Sequence, residues 1–369
     1  MGGQQVTGPP SHLERLDRYL DRSGLASVWF ARPNNFAWLT GGSNVIDRGA
    51  AQGCAAAGYD GDGVTVVTDT IEADRLREEE LAVDVSVVDY PWYEWTLSEM
   101  IRDAASMPAA ADVDVGGFDR VAGTALRQPL TRPDLEAYRS LGRETAAAVE
   151  AVCREATPES TERDLVGRLR DHLSSRGIAA PVALVGGARR APRYRHYTPT
   201  DATIGGYALV SVTATRDGLF ASTTRTVAFD PPDWLPRRTR ATARVQTAAL
   251  AATRAVGSRG GSAAEVFAAI RSAYDDVGWP EEWRRHHQGG ATGYAGREWV
   301  ATPTAEDTVS LPMAYAWNPT IEGAKTEDTW LVTGDGFERL TATGEWATEP
   351  IRSVDSALEL EQPAILDRG

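Results

Sequence analysis

The chain has 369 residues, 42% of them hydrophobic and 24% charged, with a formal net charge of −14. That length exceeds one typical core, so two domains are expected, and the composition is that of a globular protein. The negative charge argues against nucleic acid as a partner, and no run of 18 apolar residues is present to cross a membrane. The opening MGGQQVTGPPSH has neither the basic nor the apolar region of a secretory leader, so the cytoplasm is the expected compartment. Cys54 and Cys153 lie far apart and near no histidine, which fits neither a disulfide framework nor a zinc spacing. Of the 38 basic residues only Lys325 is a lysine.

Residues 1–10 are rich in Gly, Gln and Pro and are expected to be disordered. Ser11 and Glu14 form a capping box for a helix that ends near Gly24, with Leu13, Leu16 and Leu20 on one face. Residues 26–30 read as a buried strand and 32–42 as a Pro/Asn loop. Strands at 63–68 and 83–88, helices at 70–80 and 95–107, and a strand at 113–116 continue the alternation of an α/β domain.

Pro129 and Pro133 bracket a boundary. Two helices follow, one from Asp134 to about Ala156 and one over 160–177. After a strand at 182–185, runs at 207–215 and 219–229 are joined by Asp217-Gly218, a strong hairpin signal. Helices at 236–256 and 263–277 precede strands at 313–317 and 329–332 and a last hairpin in GDGFERLT. The residues after Ile351 read as a tail or a surface helix.

The densest chemistry lies in RRHHQGGATGYAGREWVATP, residues 284–303. It carries His286, His287, Gln288, Arg297 and Glu298 among glycines that let the backbone approach a ligand. His196 sits in a second basic and aromatic stretch, RYRHY.

NFAWLTGG, RHYTPTDATI, the Asp-Gly hairpin ending in TRT, HHQGGATGYAGRE, AWNP and EDTWLVT occur in this order. In that order the chain resembles the pita-bread family of Xaa-Pro aminopeptidases, methionine aminopeptidases and creatinases. The resemblance implies an α/β (α+β) fold, with a creatinase-like N-terminal domain over 11–130, a pita-bread domain over 131–350 and a tail over 351–369. It also implies a homodimer.

Family peptidases hold two divalent metals with two aspartates, a histidine and two glutamates. Carried over one at a time, the aspartates fall on Ser211 and Ser222, the histidine on Gly290 and one glutamate on Asn318. Only the last glutamate persists, as Glu327. Arg297 stands where the family has a second histidine, His196 matches a substrate-contacting histidine, and His286 matches a structural position. One carboxylate with two serines, a glycine and an asparagine is too poor a donor set for a metal pair, so a degenerate metal site and no cofactor are expected.

Creatinase, which cleaves a carbon–nitrogen bond without metal, makes a metal-independent hydrolase or lyase the expected reading. Its catalytic residues would be His196, His287, Arg297 and Glu327, with Gln288, Asn318 and Lys325 binding a small carboxylate-bearing amide, guanidino or peptide substrate. Two other readings stay open. One is a pseudoenzyme that binds a peptide or amino acid, and the other is an Xaa-Pro aminopeptidase with an atypical metal site.

Overall fold

The computed structural model describes residues 11–83 and 85–369. The disorder expected over residues 1–10 lies outside them. Two compact units are resolved, one centred on residues up to Thr131 and one from Arg132 onward. No helix among the described residues is long and apolar enough to cross a membrane.

The first unit opens with α1 (His12–Ser23), where Ser11 and Glu14 close the expected capping box and Gly24 ends the helix in the left-handed region. Then come β1 (Ser27–Phe30) and α2 (Pro33–Thr40). The second of these corrects the loop expected over 32–42. Pro33 occupies the first helical position, where its missing N–H costs nothing, so the proline starts a helix there.

β2 (Ala55–Tyr59), β3 (Val64–Asp69), α3 (Ala73–Arg75, continuing as a π-turn over Leu76–Glu80), β4 (Ser86–Tyr90), α4 (Leu97–Ala104), β5 (Ala109–Ala111) and β6 (Asp119–Arg120) complete the unit. The sheet order is β4-β3-β2-β1-β5-β6. β2 was not expected, and the strand expected at 113–116 lies earlier, at β5. Both strands are rich in alanine, which has little β-propensity, and both are fully buried. Packing decided what local preference did not.

The second unit runs twice through two helices followed by antiparallel strands. α5 (Arg132–Glu155) and α6 (Glu162–Ser174) lead to β7 (Ala179–Gly187), β8 (Tyr207–Arg216) and β9 (Leu219–Ala228). Asp217 and Gly218 both take positive φ at the tip of the β8–β9 hairpin, the geometry that Asp-Gly favours. α7 (Leu235–Gly257) and α8 (Ala263–Asp276) lead to β10 (Gly289–Thr292), β11 (Met313–Trp317), the short pair β12 (Thr320–Ile321) and β13 (Ala324–Lys325), β14 (Asp328–Val332) and β15 (Phe337–Arg339).

β10-β11-β14-β15 form one sheet, and β7, β8 and β9 form the other. After these come β16 (Thr348–Arg352), β17 (Glu359–Pro363) and β18 (Leu366–Asp367). β16 pairs with β17, and β18 adds in parallel to β9. Residues after Ile351 are therefore strands, where a tail or surface helix was expected. Their exposed faces are charged, and that polarity disguised the pairing.

Buried polar groups tie the two sheets together. Arg225 on β9 is 1% exposed and donates to Asp328 Oδ1 at 2.9 Å and to the Thr341 carbonyl at 2.8 Å. Thr341 also donates to Asp328 Oδ1, so that oxygen of the carboxylate opening β14 accepts from β9 and from the segment after β15.

Candidate functional site

The two sheets bring the chemistry-bearing segments to one place. A cavity of about 360 Å³ lies in the second unit. Val182, Leu184 and Phe220 supply apolar wall; His196, His287, Arg297, Asn318, Lys325 and Glu327 supply the polar side.

An ion triplet forms its floor. Glu327 Oε2 accepts from Lys325 Nζ at 2.8 Å, and Glu327 Oε1 accepts from Arg297 Nη2 at 2.9 Å. All three side chains are shielded, with 5% of Lys325, 6% of Glu327 and 15% of Arg297 exposed. Thr224 on β9 donates to the same carboxylate at 3.2 Å. Burial alone would raise the Glu327 pKa, but the charges and hydrogen bonds of Lys325 and Arg297 outweigh it and hold the carboxyl at about 2. Glu327 thus exchanges no proton near neutral pH. Among the expected catalytic residues it is a fixed anchor for two cations.

His196 lies in the turns between β7 and β8, and His286 and His287 follow a 3-10 turn at Glu282–Arg285. Their rings meet. His286 Nε2 and His196 Nε2 are 3.1 Å apart, and the His286 and His287 rings stack with centroids 4.3 Å apart. Burial, then the charges of Lys325 and neighbouring histidines, push the His286 pKa down to about 2. Burial, then Arg297, lower His287 to about 4, and burial with Lys325 lowers His196. His286 and His287 are therefore neutral at pH 7.

Gln288 does not reach the cavity. It is 1% exposed; its oxygen accepts from Tyr274 and its nitrogen donates to the His286 and Trp283 carbonyls. Its expected contact with substrate is replaced by a structural one, because every polar atom of the amide is already engaged. Asn318 does line the cavity, and its Oδ1 has no hydrogen-bond partner among the described residues.

The positions that the resemblance assigns to metal ligands hold a different chemistry. Ser211 shares hydrogen bonds with Tyr197 at 2.9 Å and Thr224 at 2.8 Å. Ser222 bonds Thr213 at 2.9 Å. At Gly290 an added Cβ would run into the Trp299 carbonyl oxygen. Glu327 is already neutralised by two cations. Neutral hydroxyls committed to each other and one paired carboxylate do not fit two divalent cations.

Tyr197 and Thr224 hold Ser211, Thr213 holds Ser222, and His286 completes the histidine cluster. The sequence marked Tyr197 only as an aromatic neighbour and His286 only as structural.

The chain matches metallopeptidase family M24 over residues 136–334 and the creatinase/prolidase N-terminal domain over residues 12–128. The first match alone spans more than half of the chain, which therefore belongs to metallopeptidase family M24. The fold is that of the prolidases and Xaa-Pro dipeptidases. A prolidase from Pyrococcus furiosus superposes with a TM-score of 0.72 at 19% identity, covering 89% of this chain and 99% of that one. An Xaa-Pro dipeptidase from Bacillus anthracis gives a TM-score of 0.73 at 15% identity, with coverages of 96% and 99%. Dipeptidase PepE from Mycobacterium ulcerans gives 0.70 at 21% identity, with coverages of 90% and 95%. No curated protein matches the sequence significantly.

Proposed function

We propose that the cavity binds a small carboxylate-bearing amide, guanidino compound or short peptide and hydrolyses its C–N bond without the family's metal pair. The observation that carries this reading is the ion triplet: two buried cations share one carboxylate beside neutral imidazoles. The local charge of +1 favours an anionic ligand, and the low-dielectric surroundings strengthen that attraction. Lys325 has further N–H donors beyond the one spent on Glu327, and the Arg297 fork suits a carboxylate. Asn318 Oδ1 offers an acceptor for a ligand N–H.

His196 and His287 supply the imidazoles for proton transfer. One takes a proton from water as its oxygen bonds to the substrate carbon. The C–N bond then breaks, and the leaving nitrogen takes that proton. Lys325 and Arg297 stabilise the oxyanion that forms between these steps.

A second reading, binding without turnover, is favoured by one observation. Glu327, the retained acidic residue, is locked between two cations and moves no proton. Thermal shift and calorimetry with N-acyl amino acids, guanidino acids and Gly-Pro, in the presence of EDTA, separate the cases. Saturable binding with product release supports the hydrolase, and saturable binding alone supports the binder. Activity on Gly-Pro that EDTA abolishes would return the reading to a metal-dependent Xaa-Pro peptidase.

A further inference from the structure

The three histidines make a cluster that neither the ion triplet nor the carboxylate reading requires in full. Among the described residues His196, His286 and His287 are the grouping able to hold a metal ion, with one ligand atom from each lying within 4.8 Å of the others. We propose that they form a site for a single nitrogen-preferring transition-metal cation, of the zinc, copper or nickel class, on the wall of the cavity.

The geometry is close to that of a coordinated set. Two nitrogens bound to one ion at ~2.0 Å in a tetrahedron are ~3.3 Å apart. His286 Nε2 and His196 Nε2 are already 3.1 Å apart. Bringing in His287 takes a side-chain rotation over a distance of at most 4.8 Å. Three imidazoles without carboxylate suit zinc, copper or nickel and do not suit magnesium, calcium or manganese.

The competing explanation is aromatic packing. A histidine buried for structure usually ties a ring nitrogen to a carbonyl or carboxylate. His286 is 9% exposed, yet its Nδ1 has no hydrogen-bond partner and its Nε2 meets only another imidazole. Against the ion stand Lys325 and Arg297, whose charges reach these rings; Glu327 offsets one of them.

His196 and His287 both line the 360 Å³ cavity, so a fourth coordination position would open onto it. An ion there would take over from the imidazoles the activation of water. The site is separate from the family positions Ser211, Ser222 and Gly290, which offer it no ligand.

The test strips the protein with EDTA, dialyses it, and titrates Zn2+ in competition with a chromophoric chelator. The visible spectrum of the Co2+ form then reports the donor set. One ion per chain is expected. Affinity should fall at least tenfold in His196→Ala and in His287→Ala, and stay unchanged in His172→Ala, which alters a histidine on α6. Both cluster variants change partly exposed side chains, and circular dichroism checks that they fold. No stoichiometric binding by the wild-type protein, two ions per chain, or one ion indifferent to both cluster variants would overturn the proposal. Carboxylate binding is measured separately on EDTA-stripped protein, so either reading can fail without the other.

Discussion

Lys325 Nζ sits 2.8 Å from Glu327 Oε2, two residues along the same segment, with both side chains buried. An extended chain sends residues i and i+2 to the same side, so the spacing itself makes the pair. The only lysine in the chain is therefore spent beside the cavity.

Removing that lysine leaves a buried carboxylate with one cation where it had two. Lys325→Met should destabilise the protein by about 3 kcal/mol, near the low end for a broken buried pair because Arg297 remains. Urea denaturation measures the loss. The double variant Lys325→Met/Glu327→Gln should recover a large part of it, and no recovery would show that the cost is lost packing.

Arg297→Ala should weaken binding of small carboxylates at least tenfold, as expected for a lost charge-assisted hydrogen bond of about 1.5–3 kcal/mol. Arg297→Lys keeps the charge but loses the planar fork, so only partial recovery is expected. Isothermal titration of both variants with one carboxylate probe decides the point.

The acid limb of stability follows from Glu327. The unfolded chain takes up its proton near 4.5, the ordinary carboxylate value, and the folded chain near 2. A carboxyl lowered on folding contributes stability that is complete above 4.5 and is lost as pH falls from there toward 2. Glu327→Gln should flatten this part of the stability curve by a few kcal/mol, with no change in slope between pH 6 and 8. Chemical denaturation at stepped pH reads both regions.

Gln288 belongs to the scaffold. Gln288→Leu should cost about 1–3 kcal/mol by stranding the Trp283 and His286 carbonyls, while the Tyr274 hydroxyl keeps its bonds to Thr320. Ligand affinity in the folded fraction should change less than threefold. A tenfold loss of affinity at unchanged stability would put Gln288 back among the ligand contacts.

The hairpin at Asp217-Gly218, the capped helix α1 and the long helices α5 to α8 were legible because local chemistry and tertiary structure agree there. Ala55–Tyr59 and Ala109–Ala111 were not, since alanine gains its place in a strand only from the burial around it. Pro33 was read as a breaker because a proline that starts a helix and one that ends it look alike without the following turn. At the site, the residue types at Arg297, Lys325 and Glu327 and the close spacing of Lys325 and Glu327 were readable, but the closure of both cations on one carboxylate was not. That closure makes Glu327 a fixed charge, and its Arg297 arm joins segments 30 residues apart. The contact of His286 with His196 spans 90 residues and leaves no local signal.

The close approach of Trp299 to Gly290 limits what position 290 can carry. Strand β10 passes so near the Trp299 carbonyl that even an alanine at position 290 would collide with backbone. A histidine substituted there would not fit the backbone as it stands. The backbone after Arg297 would have to retreat first, and that retreat would disturb a Glu298–Ala291 hydrogen bond of 2.8 Å. Neighbouring backbone fills the space beside position 290, so packing confines that position to glycine.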